Sequence, residues 1–344
     1  MKLFFALAAL VIACPVFAFL TGAGAPASQR FSGAAMAVHS GSELPGQASR
    51  QIAITFDDLP SSQSYEVGEV KALTTKLLKI LKQNRVPAIG FVNEGKLHTR
   101  PDVPGDFEAR RAVLKLWVDE GFELGNHTYS HVDLFKATAD KFRQDLIAGE
   151  QITRELLAAR GMKLRYFRHP FLNTGPSLEM KDAFDRILAE RQYVVAPVSV
   201  DDDDYIFASV YADAVKNNDR SLINRVVAAY PPYMEAVLEF YEKFSRSLLG
   251  YELKQILLVH ANLLNADHFD KLIAMMKKRG YQFISLEEAL RDKAYQSEDR
   301  YTGRLGSSWI RRWAITQNHQ PTIEMFKLEP KVPADIKQAY ETLK

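Results

Sequence analysis

Five places in this 344-residue chain carry side chains whose types and spacing suit bond-breaking chemistry. They are the adjacent pair Asp57-Asp58, the histidines of His127-Thr-Tyr-Ser-His131, the pair Arg168-His169, the run Asp201–Asp204, and His260. Two imidazoles one helical turn apart, with one carboxylate, make a three-ligand site for a borderline transition ion and leave a position open for water. Oxygen-only ions such as Mg²⁺ would not call for histidines. A divalent ion so held lowers the pKa of its water towards neutrality and polarises a carbonyl oxygen. One aspartate of the pair then serves as ligand and its neighbour as general base, with Arg168 keeping the base ionised and oriented. A departing amine needs a proton, which His260 can donate. These groups suffice for metal-assisted acyl hydrolysis.

Each fragment alone is a weak signal; their common position makes them coherent. Short apolar runs predict strands at Ile52–Phe56, Ala88–Val92, Phe122–Gly125, Leu164–Phe167, Tyr193–Val198, Gln255–Val259 and Tyr281–Ile284. Helix-period stripes lie between them: Val70, Leu73, Leu77 and Leu81; Phe142, Leu146, Ile152 and Leu156; Phe269, Leu272, Ile273 and Met276. Seven such repeats imply an α/β fold with parallel strands and right-handed crossovers, either a barrel or a doubly wound sheet. Asp57-Asp58, Asn93-Glu94, Asn126-His127, Arg168-His169, Asp201–Asp204 and His260 all fall at the carboxyl ends of strands. In a parallel architecture those ends share one rim, where active sites are built. Glu94 is there a candidate secondary substrate contact.

Two segments depart from the repeat. Residues 206–250 read as helical, interrupted at Tyr230-Pro-Pro-Tyr233, and suit a lid or groove wall. Residues 291–344 carry Trp309 and Trp313 at a spacing that suits a helix docking its apolar face rather than a sugar platform. The same reading applies to Tyr230, Tyr233, Tyr241 and Phe244.

Composition removes several classes of function. The chain is 47% hydrophobic and 25% charged with a net charge of +2, which gives no basic footprint for nucleic acid. Its one cysteine, Cys14, leaves no internal disulfide and no CxxC metal site. Lys2, the apolar run Leu3–Leu20 and the small-residue stretch ending Ala25-Pro26-Ala27 predict a secretory signal over residues 1–27. Export to the periplasm or the medium follows, with lipoprotein anchoring through Cys14 as the alternative. A Gly, Ala and Ser-rich lead-in covers 28–49, and no later run is apolar enough to make the mature protein membrane-spanning.

The ordered set Thr55-Phe-Asp-Asp58, His127-Thr-Tyr-Ser-His131, Arg168-His-Pro-Phe171, Asp201-x-x-Asp204-Tyr205 and Leu257-Leu-Val-His260 resembles the NodB-homology polysaccharide deacetylases, carbohydrate esterase family 4. The resemblance runs over about 50–290 with the 206–250 insertion, followed by the extension 291–344. It implies a distorted (β/α)7 barrel. It implies Asp57 as base, Asp58, His127 and His131 as metal ligands, Arg168 as orienting group, His260 as acid, and Asp204 as the group tuning His260 or Arg168. It places the Phe171 backbone N–H on the oxyanion, Leu258 in the acetyl-methyl pocket and Tyr205 on the groove wall. The cofactor implied is Zn²⁺ or another divalent ion such as Co²⁺, Ni²⁺ or Mn²⁺, and the substrate partner is a polysaccharide bearing N-acetylated amino sugars, peptidoglycan or chitin-like. Three places depart from the family pattern: Tyr205 replaces the usual tryptophan, Leu172-Asn173 stands where glycine is common, and His169 replaces a more usual apolar residue or proline. An O-acetyl esterase on xylan-like polymers, a small-molecule amide hydrolase and a glycan-binding pseudoenzyme are the alternatives.

Overall fold

Strands covered on both faces read as continuous apolar runs, and Ile52-Ala-Ile-Thr-Phe56 is buried throughout. It forms the centre of β1 (Arg50–Leu59) in the computed structural model, which describes residues 50–344 apart from 64, 65 and 305. The segments expected to be a signal (1–27) and a lead-in (28–49), with Cys14, lie outside the described residues. From β1 the chain continues through α1 (Val67–Asn84), β2 (Ala88–Val92), α2 (Asp106–Asp119), β3 (Glu123–Asn126), α3 (Ala139–Ala148) and α4 (Gln151–Ala158). Then come β4 (Tyr166–Phe167), α5 (Leu178–Glu190), β5 (Val194–Val195), α6 (Asp204–Lys216), α7 (Arg220–Leu249) and β6 (Gln255–His260). The last elements are α8 (Leu263–Lys278), β7 (Tyr281–Phe283), α9 (Leu286–Ala289), α10 (Trp309–Thr316), α11 (Gln320–Glu324) and α12 (Ala334–Glu341).

All strand pairings are parallel, in the order β5-β4-β3-β2-β1-β6, with β7 on the amino-terminal end of β1. Past β5 the chain crosses to β6, where Val200 bridges Leu257. The strands make a distorted, open (β/α) barrel, as expected, with that isolated bridge the link between its two edges. The seven strands fall on the seven expected runs, although β4 and β5 keep only two residues each. Ala53, Ile89, Phe91, Tyr166, Ala196 and Ile256 fill the lumen, and Leu286 and Ala289 of α9 pack with them. A separate, larger core carries Ile52, Ile54 and Phe56 together with the apolar faces of the helices.

Two helical readings need correction. The stripe from Phe142 to Leu156 is split between α3 and α4. Gly149, which ends α3, lies against the loop after β3: a Cβ there would stand 2.5 Å from Tyr129 N and 2.6 Å from the Thr128 carbonyl carbon. The other correction concerns Pro231 and Pro232, which lie inside α7 rather than ending it. They remove two backbone donors, but Tyr230, Met234, Val237, Leu238 and Tyr241 are buried along the same helix, and that packing carries it through. Trp309 and Trp313 are buried, and the Trp309 N–H donates to Val198 O at 2.7 Å.

Because the atoms crowding Gly149 are backbone atoms, Gly149→Ala should displace the His127–His131 loop at a cost of about 1–3 kcal/mol. We expect a lower melting temperature with the far-ultraviolet circular dichroism unchanged; scanning calorimetry checks it.

Candidate active site

Side chains of a strand alternate between its faces, so Thr55 and Asp57 point together into the lumen. The Thr55 hydroxyl donates to Leu257 O at 2.8 Å and accepts from Arg168 Nη2 at 2.9 Å, while Arg168 Nη1 lies 3.4 Å from Asp57 Oδ2. Arg168 is fully buried, with its guanidinium over the Phe91 ring at 4.6 Å. Burial pushes the Asp57 carboxyl up to about 6, against the pull of Arg168.

Alternation alone would send Asp58 to the opposite face. Its left-handed φ of 70°, beside a register shift between Phe56 and Leu59 against β2, turns it towards the site as well. Aspartate adopts this conformation more readily than most residues. Asp58 Oδ1 lies 3.8 Å from His127 Nε2 and 3.6 Å from His131 Nε2. The two histidines stand on an irregular loop, not on a helical turn, with left-handed φ at Thr128 and His131. Asn93 Nδ2 donates to His127 O at 2.6 Å, the Thr128 N–H donates to Asn126 Oδ1, and Asp145 accepts from the Ser130 N–H and hydroxyl. Asn93 and Asn126 therefore shape this loop.

One carboxylate and two imidazoles with ligand atoms within 4.8 Å of one another can hold a divalent metal ion. Two observations fit such an ion. Asp58 Oδ1 is buried and accepts no hydrogen bond. His127 Nδ1 is 2.8 Å from Arg168 O, which leaves Nε2 facing Asp58. Burial holds both imidazoles below the usual histidine value, His127 strongly, so they are the neutral form that ligates. For Asp58, burial pushes the carboxyl up, but the Lys96 ammonium at 3.3 Å outweighs it and holds it well below the usual carboxylate range.

Within the same cavity of about 530 Å³, His260 joins Asp57, Asp58, His131, Tyr205 and Leu258. His260 Nδ1 sits 2.6 Å from Asp204 Oδ1. Asp204 Oδ2 accepts from the His260 N–H, Asn262 Nδ2 and Asn265 Nδ2. Burial pulls the imidazole down, yet the Asp204 carboxylate overrides it and pushes His260 up to about 10. Asp204 makes these contacts with His260 and none with Arg168. Asp201 and Asp202 line the same cavity. Phe171, with a left-handed φ of 54°, sets its ring edge-on to His131 at 4.3 Å between centroids. Leu172 follows at 53°. Such backbone costs on the order of 1–3 kcal/mol per residue and persists only where its surroundings enforce it.

Some residues at the rim do other work. Glu94, a candidate substrate contact by position, is buried and accepts from the Ile152 and Thr153 N–H groups at the start of α4. Tyr230 donates to Asn265 Oδ1 and Tyr233 accepts from the Asp203 N–H, so these buried tyrosines support the Asp204 end of α6 and do not face a glycan. His169 is buried behind the site, beside Trp309. Lys96, Thr55, Asn262 and Asn265 escaped sequence reasoning. For Thr55 the two-residue spacing to Asp57 was a usable signal; the others meet the site only through topology.

A family model described as polysaccharide deacetylase matches residues 46–183, which carry Asp57, Asp58, His127, His131 and Arg168. The chain belongs to this family. Among curated proteins it is 30% identical over 238 residues to a peptidoglycan-N-acetylglucosamine deacetylase of Bacillus cereus, covering 69% of this chain and 66% of that protein. It therefore spans just under two thirds of that relative. An uncharacterized 30.6 kDa protein of Geobacillus stearothermophilus is 26% identical over 75% of this chain and 77% of its own length. A chitin deacetylase of Arthroderma benhamiae is 28% identical over 158 residues, 46% of this chain and 36% of that one.

Since His260 is raised above its ordinary 6.5, its pairing stabilises the fold fully below that value and is lost as pH rises through about 10. Asp204→Asn should bring the His260 titration midpoint, followed by NMR, down from about 10 towards 6.5. The difference in melting temperature between the two proteins should narrow as pH approaches 10.

Proposed function

We propose that this polysaccharide deacetylase family member hydrolyses N-acetyl groups on amino sugars of a glycan. The observation that carries the reading is one cavity holding a potential metal triad, an Arg-held carboxylate and a carboxylate-backed imidazole. Asp58, His127 and His131 would hold the ion, with Zn²⁺ the ion inferred from a two-imidazole, one-carboxylate set and Co²⁺, Ni²⁺ or Mn²⁺ as alternatives. When bound, such an ion supplies Lewis acidity, polarising the acetyl carbonyl and acidifying water.

The chain's own groups supply the rest. Asp57, oriented by Arg168, removes the proton from the attacking water as its oxygen bonds to the acetyl carbon. The Phe171 N–H donates to the carbonyl oxygen as charge develops there. The C–N bond then breaks and the nitrogen takes the proton from His260, giving acetate and a free amine. Leu258 bounds the space for the acetyl methyl, and the exposed Tyr205 offers a ring face to a sugar. The His260–Asp204 pair favours an amide substrate, since an amine leaves far less readily than an alkoxide without a proton. Peptidoglycan and chitin-like polymers are the substrate classes that the relatives' names suggest. A polymer outside the cell would require export, which the N-terminal residues support by sequence alone.

Acetate release from peptidoglycan, N-acetylglucosamine oligomers and acetylated xylan tests the reading. We expect release from the amino-sugar substrates, loss on chelation with dialysis, and recovery with Zn²⁺. Asp57→Asn should lower the rate by about a hundredfold or more. With the acid group near 10, kcat should hold through neutral pH and fall as pH approaches that value. Release from xylan alone, or an Asp57→Asn rate equal to wild type, would overturn the proposal.

A further inference from the structure

The loop after β4 is the part of the site whose backbone is least content by itself. Phe171 and Leu172 are consecutive non-glycine residues in the left-handed region, at φ 54° and 53°. A glycine would adopt that geometry unaided, and this chain has leucine and asparagine following the phenylalanine. Something else must enforce the conformation.

What enforces it comes from the segment after residue 290. The Gly306 N–H donates to Phe171 O at 3.0 Å. A Cβ at Gly306 would stand 2.0 Å from that oxygen and 2.3 Å from Leu172 Cβ, so the two backbones meet without room for a side chain. Arg312 Nη1 donates to Leu172 O at 3.2 Å, and Nη2 donates to the Thr174 hydroxyl. The guanidinium is wholly buried, lies 4.3 Å over the Trp309 ring, and pairs with Asp299 at 3.1 Å. A buried charge that donates to one carbonyl and one hydroxyl of the same short loop, and is itself anchored by Asp299, holds that loop in place. The same loop carries the Phe171 N–H and presses the Phe171 ring on His131.

We propose that Arg312, with Gly306, is a positioning residue: the C-terminal segment clamps the Phe171–Thr174 loop in its left-handed conformation and so sets the oxyanion donor and the orientation of His131. The clamp stands in for the glycine that the loop lacks. Its catalytic consequence rests on the deacetylase reading; the clamping itself does not.

The test is Arg312→Met, with Arg312→Lys beside it, which keeps the charge near Asp299 but loses the fork. Amide hydrogen exchange on the full chain without metal should speed up about tenfold at residues 171–174 and stay unchanged in β1 and β6. In the deacetylase assay kcat should fall by about a hundredfold with KM little altered. Adding Leu172→Gly to either variant should restore much of kcat without restoring the melting temperature, because glycine takes up the conformation unassisted. Should Arg312→Met not fold, Arg312→Lys carries the same readouts. Unchanged exchange at 171–174 in a folded variant overturns the clamp, as does a loss of kcat that follows the melting temperature and is not relieved by Leu172→Gly. A wild-type chain inactive on every substrate would instead overturn the proposed function, leaving the exchange result to decide the clamp alone.

Discussion

A guanidinium with no solvent exposure sits in the barrel lumen, and the geometry of the site follows from how its charge is answered. Taking an ion out of water costs several kcal/mol, offset only by an opposite charge and well-directed hydrogen bonds. Arg168 finds the Asp57 carboxylate, the Thr55 hydroxyl and the face of Phe91, each from a different position on β1 or β2. Removing one member of such a pair strands the other, at about 3–5 kcal/mol. Asp57 is therefore tied to the fold as firmly as to any chemistry. Its backbone neighbours inherit that constraint, because the register between β1 and β6 places Asp57 opposite His260.

Adjacent carboxylates at one strand end acquire different properties from this arrangement. Asp57 is raised to about 6 by burial, while Asp58 is lowered by the Lys96 ammonium despite its own burial. Groups one residue apart are thus separated in affinity for a proton, which is what dividing a ligand's task from a base's task requires. The separation depends on the left-handed turn at Asp58, since an extended residue there would have aimed its carboxylate away from the histidines.

Much of this was legible in the sequence because it is local or periodic. The seven apolar runs located the strands, and the clustering of polar residues at their carboxyl ends located the rim. What was not legible came from contacts that no spacing encodes. The interval between His127 and His131 looked helical, but the segment is a loop held by Asn93 and Asp145 from two other places in the chain, with the neighbouring Asn126 turning its start. Pro231 and Pro232 looked like a helix end because a propensity is a local statement, and tertiary burial overrode it. Glu94 had the right position for a substrate contact, and only the structure shows that the N-terminus of α4 claims both its oxygens.

The working groups are also far apart along the chain. Asp57 and Arg168 are separated by 111 residues, Asp204 and His260 by 56, and Arg312 and Leu172 by 140. The residues matched by the family model end at 183, yet His260, its Asp204 partner and the support of the Phe171 loop all lie beyond that point. Contacts of such separation form only after long loops are closed. A chain folded through the matched stretch alone would hold a potential metal triad and the Arg168–Asp57 pair, without the His260–Asp204 pair and with a strained loop free to relax. On this fold the groups gathered in the one cavity come together only when the chain beyond residue 183, C-terminal segment included, is in place, so the stretch that the family model matches is chemically incomplete without the rest.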